Sequence, residues 1–319
     1  MTNPSLLILL PSPGTVHTPF LTSMIGLTQA LQHKKILFKV ATIELSDIVM
    51  SRNYLMSVFL SDERFSHALF VDSDLSFEPE QFFRLLDFDA DFVAAVYPDR
   101  RARDAVLQAL YEADGTKPGG RSIQDISASA MKYLMTIYTK KSEPIDVKKK
   151  NGFHTVASLA GGFSLMKRIV PEQMVDNGVA QLLPRTATIP GYENASRFAD
   201  FFSHLLTDDK EAILGEDQSF CKRWLVGCGG DIWVDGQSDI RHHGDYVLRG
   251  QYASQHKTCR NIQRRPIGYP TRFYWPRVRH PKVATASITQ PRDKAGLVTQ
   301  ITHRGRHGRG RNRPWQKPR

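Results

Sequence analysis

The first hundred residues alternate between short apolar runs and stretches in which apolar residues recur at helical spacing. The runs that predict strands are Leu6–Leu10, Ile36–Ala41, Ala68–Val71 and Phe92–Val96. The stretches that predict helices are Phe20–Leu31, Tyr54–Leu60 and Pro79–Leu86. Continuous apolar strands separated by amphipathic helices indicate a parallel sheet that is covered on both faces. The pattern therefore predicts an α/β fold.

In sheets of this kind a ligand binds beyond the carboxyl ends of the strands. The loops that should converge there are Pro11–Thr18, Glu44–Asn53, Asp72–Glu78 and Tyr97–Arg103. We therefore expect the functional residues of this half of the chain to lie in these four loops.

The pattern resumes after a less regular stretch that ends near residue 150. Further strands are predicted at Ala160–Met166, Phe198–Leu205 and Asp231–Val234, and further helices at Ile126–Tyr138, Ile169–Asn177 and Glu216–Val226. From about residue 284 the apolar periodicity is lost, and Thr302–Arg319 is rich in Gly, Arg and His. Such a composition cannot bury enough apolar surface for an ordered core, so we expect disorder there.

Charge divides the chain into two parts. The formal net charge of +11 arises from residues 241–319, which carry 19 basic side chains against only Asp245 and Asp293. The apolar run Leu6–Leu10 is too short for a signal peptide or for a membrane span of about 20 residues. Three cysteines without paired spacing argue against a disulfide framework. We expect a soluble protein in a reducing, cytoplasmic setting.

Two carboxylates directly follow a predicted strand, at Asp72 and Asp74. In extended backbone, side chains two residues apart point to the same side, so the pair is expected to converge on one hard cation. A Mg²⁺ or Mn²⁺ held in this way keeps open positions for phosphate oxygens and neutralises a departing diphosphate. The alternative is that both are ordinary turn and helix-cap residues, because the same spacing recurs twice in the turn Asp87–Asp91.

Several short segments follow one another in a characteristic order and at characteristic spacing over roughly residues 5–250. They are Val49-Met-Ser-Arg-Asn53, Phe70-Val-Asp-Ser-Asp74 with Phe77 and Pro79, Gly161-Gly-Phe-Ser-Leu-Met-Lys-Arg168, Gly215-Glu-Asp-Gln-Ser-Phe220, and Ile232-Trp-Val234 followed by His242-His-Gly244. Together they resemble the GT-A superfamily of nucleotide-sugar-dependent glycosyltransferases, in particular its family 2-like members. The resemblance implies a GT-A (Rossmann-like) fold, in which a mixed and mostly parallel sheet is flanked by helices.

The same resemblance implies how the chain is divided. Residues 1–250 are expected to form the glycosyltransferase domain, with the nucleotide-binding half at 1–99 and the acceptor and metal half at 151–250. Residues 251–283 are then a basic, aromatic extension, and residues 284–319 a disordered basic tail. The implied activity is the transfer of a hexosyl or pentosyl group from a nucleotide-diphosphate donor to an acceptor hydroxyl.

Roles in donor binding follow from the resemblance. Pro11, Ser12, Arg52 and Asn53 are expected near the nucleotide, and the guanidinium of Arg52 would meet phosphate charge. The glycine pair 161–162 would let the backbone approach the donor sugar or the acceptor closely. The alternatives are that Arg52 and Asn53 simply begin a helix, and that the glycines form a bulge in a packed strand.

The resemblance also implies a cation site and a base. Asp74 would ligate Mn²⁺ or Mg²⁺, Asp72 would ligate it or hydrogen-bond the ribose, and His242 or His243 would supply a further ligand. Adjacent side chains on a strand point in opposite directions, so at most one of the two histidines faces the metal. In an inverting enzyme Asp217 would be the general base. Glu216 is the alternative base, and a helix start favours acids even without any catalytic role.

The basic end combines positive charge with aromatic rings. Residues 257–319 hold 17 of the 19 basic side chains of this end, together with Tyr269, Phe273, Tyr274 and Trp275. Basic groups neutralise phosphates and aromatic rings stack on bases, so a nucleic acid or another polyanion is an expected partner. Contact with anionic lipid, a solubilising tail or core packing of the aromatics are the alternatives.

The acceptor therefore stays open between two classes. It is a hydroxylated base in DNA if the chain is a virus-type DNA-modifying member acting in the host cytoplasm, and a duplex target would then need its base extruded. Otherwise it is an envelope glycan, a lipid-linked sugar or a protein. Two other functions compete with glycosyl transfer: non-catalytic nucleic-acid binding and nucleotidyl transfer, because related folds use similar carboxylate pairs.

Overall fold

The computed structural model describes residues 3–100, 104–115, 120, 122–137, 146–184, 189–192 and 195–244. The strands are β1 (Ser5–Ser12), β2 (Leu37–Glu44), β3 (His67–Val71), β4 (Leu75–Ser76), β5 (Phe92–Ala95), β6 (Met135–Thr136), β7 (Lys149–Lys150), β8 (Phe153–Thr155), β9 (Ser158–Leu159), β10 (Phe163–Lys167), β11 (Gln181–Leu182), β12 (Ala199–Asp200), β13 (Trp233–Asp235) and β14 (Arg241–His242). The helices are α1 (Thr18–His33), α2 (Ile48–Ser61), α3 (Pro79–Phe88), α4 (Asp104–Leu110), α5 (Ile123–Ala130), α6 (Ile169–Asp176) and α7 (Glu216–Lys222). The π-helical segments Tyr111–Gly115 and Arg223–Gly227 continue α4 and α7.

An eight-stranded sheet lies at the centre, with the strand order β2-β1-β3-β10-β5-β13-β8-β7. β1 is parallel to β2 and β3, and β5 is parallel to β13. β10 lies antiparallel between β3 and β5, and β8 is antiparallel to both of its neighbours. The predicted fold class, a mixed and mostly parallel α/β sheet flanked by helices, is confirmed.

The core lies on both faces of this sheet. In β1, Leu7 and Leu9 pack on the face that α2, α6 and α7 cover, whereas Leu6 and Ile8 pack on the face that α1 and α3 cover. Because side chains alternate along a strand, a strand covered on both faces is apolar at every position. This explains the uninterrupted apolar run from which β1 was predicted.

Helix α2 begins well before the predicted helix Tyr54–Leu60. Its N-terminus is set by Asp47, whose Oδ1 accepts a hydrogen bond from the Met50 N–H at 3.0 Å. A carboxylate in this position satisfies an N–H group that has no partner inside the helix. The prediction of a loop over Glu44–Asn53 is therefore wrong, and Arg52 and Asn53 lie inside the helix.

Two other predicted elements also differ from the structure. The strand expected over Phe198–Leu205 is reduced to β12, because the Asn53 Oδ1 accepts the backbone N–H groups of Phe201 and Phe202 at 2.7 and 2.8 Å and holds them out of a ladder. The helix expected over Ile126–Tyr138 ends at Ala130, and β6 then pairs with β9.

The described residues all belong to one compact unit. The predicted extension at 251–283, the tail at 284–319 and the polyanion contact of residues 257–319 lie outside the described residues, so the predicted domain boundaries stay predictions. Among the described helices, none combines the length and the apolar character that crossing a membrane requires.

Candidate active site

Segments from distant parts of the chain meet at the edge of the sheet where β1, β3 and β5 end. Because β10 runs antiparallel, the glycine pair before it lies at this same edge. The Asp72 N–H donates to the Gly162 carbonyl oxygen at 2.8 Å, next to the pairing of Phe163 with Val71. Tyr97, which follows β5, accepts a hydrogen bond from the Gly162 N–H on its hydroxyl oxygen at 3.0 Å.

Arg52 joins two of the predicted site residues beneath this edge. Its Nη2 donates to both carboxylate oxygens of Asp72, at 3.1 and 3.3 Å. Its Nε lies 3.7 Å from the Oδ1 of Asp217, which is the second residue of α7. The structure thus brings Asp72 and Asp217 together through one guanidinium. The side chain of Arg52 is buried, and its contact with a donor phosphate stays a prediction.

The glycine pair makes room for these carboxylates. A Cβ on Gly162 would lie 2.3 Å from the Asp72 Oδ2 and 2.5 Å from the Tyr97 hydroxyl oxygen. A Cβ on Gly161 would lie 2.8 Å from the Asp217 Oδ1. All three distances are shorter than real Cβ atoms show, so a side chain at either glycine would force these groups to move. The chain's own side chains thus approach the two glycines closely, and close approach of the donor or acceptor there stays a prediction.

Asp74 faces a different set of partners. Its Oδ2 lies 3.0 Å from the Arg100 Nη1 and 3.3 Å from the His242 Nε2. The chain turns after β3, and the Leu75 N–H donates to the Asp72 carbonyl oxygen at 3.2 Å. The extended geometry predicted for Asp72 and Asp74 is therefore wrong, because the strand ends at Val71.

The two adjacent histidines point to different places. The Nδ1 of His242 lies 2.8 Å from the Pro98 carbonyl oxygen, which only accepts, so Nδ1 carries the proton. Burial would lower the pKa of His242, but its hydrogen bonds to Asp74 and Pro98 raise it, so the protonated ring donates from Nε2 to Asp74. In the neutral ring Nε2 carries the lone pair instead, and a cation would take the place of that proton. The Nε2 of His243 lies 2.7 Å from the Ser76 Oγ, and its ring stacks on that of His17 at 5.8 Å.

Three residues of this cluster were not singled out from the sequence: His17, Tyr97 and Arg100. The ring of Tyr97 packs edge-on against that of His242, with centroids 5.1 Å apart, so it links the glycine pair to the histidine. The only sequence signal for the three was their place in the loops Pro11–Thr18 and Tyr97–Arg103. A loop at the carboxyl end of a parallel strand is where such residues are expected.

Burial and charge displace the pKa values of the carboxyl groups in different directions. Burial raises the pKa of Asp217 and of Asp72, and the positive charge of Arg52 opposes this without cancelling it. For Asp74, burial alone would raise the pKa, but the hydrogen bond with His242 and the charge of Arg100 lower it. Asp74 is therefore the carboxylate that stays ionised most readily, as a cation ligand must.

The fit of these side chains to a divalent cation is partial. Within the described residues there is no group of three or more His, Cys, Asp or Glu side chains arranged to hold a metal ion. Asp74 and the His242 Nε2 form a pair of suitable donors, and the Pro98 carbonyl fixes the imidazole in the orientation that a metal ligand needs. Two protein ligands leave the remaining positions to phosphate oxygens and water, an arrangement that Mg²⁺ commonly adopts.

A groove of about 390 Å³ opens beside α7. Asp217 and Glu216 line it together with the ribbon formed by β6 and β9. The other polar or aromatic side chains of the lining are Lys132, Tyr133, Thr136, Ser158 and Gln218. Asp217 thus lies between Arg52 and an open groove, the position that a base needs in order to meet an incoming hydroxyl.

The remaining predicted nucleotide contacts lie at the end of β1 and in α2. Pro11 is buried in the strand, and the Ser12 Oγ accepts the Gly14 N–H and donates to the Thr15 carbonyl oxygen, each at 3.2 Å. Asn53 donates from Nδ2 to the Asp200 Oδ1 at 2.9 Å, in addition to its bonds with Phe201 and Phe202. Asn53 therefore fixes the segment after β12, and its contact with a nucleotide stays a prediction.

No protein-family model and no curated protein matches the chain. Among solved structures, it is similar to the protein A197 from STIV, with 14% identity and a TM-score of 0.36 over 78% of this chain and 98% of the other. It is also similar to GalNAc-T7, solved with UDP, GalNAc and Mn²⁺, with 11% identity and a TM-score of 0.40 over 78% of this chain. The match spans only 45% of the GalNAc-T7 chain.

Proposed function

We propose that the protein is a glycosyltransferase that moves a sugar from a nucleotide-diphosphate donor to an acceptor hydroxyl. The observation that carries the proposal is the linkage of Asp74 and His242, through Tyr97 and the glycine pair, to Asp217 at one edge of the sheet. Glycosyl transfer needs both a group that stabilises the departing diphosphate and a base for the acceptor, and these residue types supply both.

On the donor side, Asp74 and His242 would hold a divalent cation, Mn²⁺ or Mg²⁺. Bound there, the cation would neutralise the charge that develops on the leaving diphosphate. Between the two histidines, His242 is the proposed ligand because its Nε2 faces the carboxylate that stays ionised. Asp72 shares its carboxylate with Arg52, which favours the second role predicted for it, a hydrogen bond to the donor ribose.

On the acceptor side, Asp217 is the proposed general base of an inverting reaction. It accepts the proton of the acceptor hydroxyl while that oxygen attacks the sugar carbon that bears the diphosphate. Glu216 lines the same groove, but among the described residues it acts on Arg52 only through its charge, whereas Asp217 lies within salt-bridge distance of Arg52. Glu216 is therefore the weaker candidate. Replacement of Asp217 by Asn separates the two, since a Glu216 base would survive the change.

The groove beside Asp217 favours an uncharged, hydroxylated acceptor. Among its described lining residues, Lys132 is the only basic side chain, whereas Glu216 and Asp217 supply two carboxylates. A polynucleotide would bring a phosphate with every nucleotide and needs several basic contacts. A glycan would instead use the hydroxyl and amide groups of the lining and the exposed ring of Tyr133. A hydroxylated base in DNA is the alternative, favoured by the basic composition of residues 257–319.

The proposal is tested with a panel of nucleoside diphosphate sugars, each with Mn²⁺ or Mg²⁺, by release of nucleoside diphosphate. Asp74→Asn should lower turnover by at least about 100-fold, because a lost cation ligand removes several kcal/mol of charge stabilisation. The matched control is Asp89→Asn, in the turn Asp87–Asp91 where the Asp-x-Asp spacing recurs. Asp89 has a positive φ of 59° and an exposed side chain, and asparagine tolerates both conditions. The turnover of Asp89→Asn should therefore stay near that of wild type.

Other outcomes would replace the proposal. If the whole panel gives neither binding nor turnover, the protein is not a nucleotide-sugar enzyme. Release of pyrophosphate from a nucleoside triphosphate would identify a nucleotidyltransferase. Strong, salt-dependent binding of DNA or RNA that is unaffected by Asp74→Asn, without any donor turnover, would identify a non-catalytic nucleic-acid-binding protein.

A further inference from the structure

We propose that Arg52 is a positioning residue, which fixes the carboxylates of Asp72 and Asp217 relative to each other and does not bind the donor diphosphate. The inference rests on the proposed function, since it gives the two carboxylates roles in donor and acceptor chemistry. It also assigns to Arg52 a role different from the phosphate contact expected from the sequence.

The guanidinium of Arg52 is enclosed by aromatic rings. Its Cζ lies 5.3 Å from the ring centroid of Phe70 and 6.0 Å from that of Phe202, and the whole residue is only 2% exposed. On the sides away from these rings the guanidinium faces the carboxylates of Asp72 and Asp217. Arginine stacks readily on aromatic faces, so the two rings also restrict the directions in which its N–H groups point.

The two carboxylates contact different nitrogen atoms of this fixed group. Asp72 binds Nη2 with both oxygens, whereas Asp217 lies next to Nε. The guanidinium is a rigid plane, so holding Asp72 at one edge also sets the direction of the charge offered to Asp217. A lysine ammonium, a single point on a flexible stem, does not impose such a relationship.

The hydrogen bonds of Arg52 are concentrated on Asp72. Within the described residues, neither Nε nor Nη1 has a hydrogen-bond partner, and the same is true of the Asp217 Oδ1. A buried charge with unmade hydrogen bonds costs free energy, and replacing a whole buried ion pair by apolar residues is often neutral or stabilising. An arginine that merely filled the space between Phe70 and Phe202 would be a poor choice for it.

The glycine pair is shaped to the same three side chains. A Cβ on Gly161 would lie 3.3 Å from the Arg52 Nη1 as well as 2.8 Å from the Asp217 Oδ1, and a Cβ on Gly162 would collide with Asp72. Both glycines therefore leave space for one arginine and two carboxylates. Since a displacement of about 1 Å in a reacting group costs about 100-fold in rate, such a fixed spacing has a direct effect on kcat.

The experiment compares Arg52→Lys and Arg52→Met with the control Arg168→Met. Arg168 is also an arginine stacked on a phenylalanine, with its Cζ 4.5 Å from the Phe59 ring, but its Nε donates to the Phe65 carbonyl oxygen at 2.9 Å. For each protein we would measure kcat and KM for the donor, the thermal midpoint, and the rotamers of Asp72 and Asp217 in a crystal structure.

We expect Arg52→Met to lower kcat by about 100-fold, while the KM for the donor changes by less than about 3-fold. Arg52→Lys should lower kcat less than Arg52→Met does, but still below wild type. Lysine keeps the positive charge but lacks the rigid, planar set of N–H donors of the guanidinium. In the crystal structure of Arg52→Met, at least one of the two carboxylates should adopt another rotamer. Arg168→Met should lower the thermal midpoint without changing kcat.

Three results would overturn the inference. A rise in donor KM of about 10-fold or more with kcat retained would make Arg52 a donor ligand. A lower thermal midpoint with unchanged kcat and KM would make it purely structural. Unmoved rotamers of Asp72 and Asp217 in Arg52→Met would show that it positions neither. The rotamers can be read even if wild-type protein turns over no donor, so failure of the proposed function is distinguishable from failure of this inference.

Discussion

The Nε2 of His242 lies 3.3 Å from the Oδ2 of Asp74. His242 ends β14 and Asp74 directly precedes β4, and these two strands pair across a sequence separation of more than 160 residues. β14 pairs antiparallel with β4, in register with His242 opposite Leu75. The same pairing turns His243 away, towards Ser76. The pairing register thus decides that His242, and not His243, faces the carboxylate of Asp74. The sequence alone did not distinguish the two histidines.

His242→Ala should weaken divalent-cation binding much more than His243→Ala. Loss of an orienting group around a metal ligand already costs about 10-fold to 100-fold in affinity, and loss of the ligand itself should cost at least as much. The half-saturating Mn²⁺ concentration for nucleoside diphosphate release measures the effect. Equal effects of the two substitutions would contradict the assignment of His242.

Gly162→Ala should abolish most of the activity and destabilise the protein. The added Cβ would lie 2.3 Å from the Asp72 Oδ2, so Asp72 or the strand must move, at a cost of about 1–3 kcal/mol. Gly26→Ala in α1 is the control, because its Cβ would only touch Pro79 at 3.5 Å. Since alanine is the better helix former, the control should be neutral or more stable in urea unfolding. A fully active, fully stable Gly162→Ala would contradict the close packing described here.

Much of the fold follows from local patterns, and the location of the site follows with it. The apolar run that became β1 predicted a strand covered on both faces of a sheet, and the fold confirms it. This prediction succeeded because strand burial depends on residues close together in the chain. That ligands bind beyond the carboxyl ends of such strands is a general rule, and from it the candidate site is placed at this edge.

The orientation of Arg52 depends instead on partners that are distant in sequence. Ser51, Arg52 and Asn53 interrupt the apolar periodicity of α2, so the predicted helix began only at Tyr54. In the structure these polar side chains are buried, and Asn53 has partners around Asp200, separated from it by almost 150 residues. Periodicity carries no information about such partners, so a buried polar helix face looks like a loop.

Asn53→Ala tests this difference between a packing role and a nucleotide contact. It would leave the backbone N–H groups of Phe201 and Phe202 without their acceptor, and a buried group left unpaired costs about 1–3 kcal/mol. We expect a lower free energy of unfolding in urea and a donor KM within about 3-fold of wild type. A large rise in KM with unchanged stability would instead restore the predicted contact with the nucleotide.

The pH dependence of turnover should reflect Asp217. A base must be ionised to accept a proton, and burial raises the pKa of Asp217 above the ordinary value of 3.8. With Mn²⁺ and donor saturating, kcat should therefore rise with pH through an acid limb whose midpoint lies above 3.8. Asp217→Asn should lower kcat by about 100-fold or more. A profile unchanged in shape and height in Asp217→Asn would transfer the role to another group, with Glu216 first to be tested.

Stability should respond to the same group with the opposite sign. An acid whose pKa is higher in the folded than in the unfolded protein contributes stability below its unfolded pKa, and this contribution is lost as pH rises through the folded pKa. Asp217→Asn does not titrate at this position, so its free energy of unfolding relative to that of wild type should increase as pH rises above the unfolded pKa of about 4, and should level off above the folded pKa. Urea unfolding of the two proteins across this range measures the difference. An increase would mean that the ionised carboxylate, which turnover requires, lowers the stability of the folded protein. If the difference in free energy of unfolding between Asp217→Asn and wild type instead decreases with pH, this account of the base is contradicted.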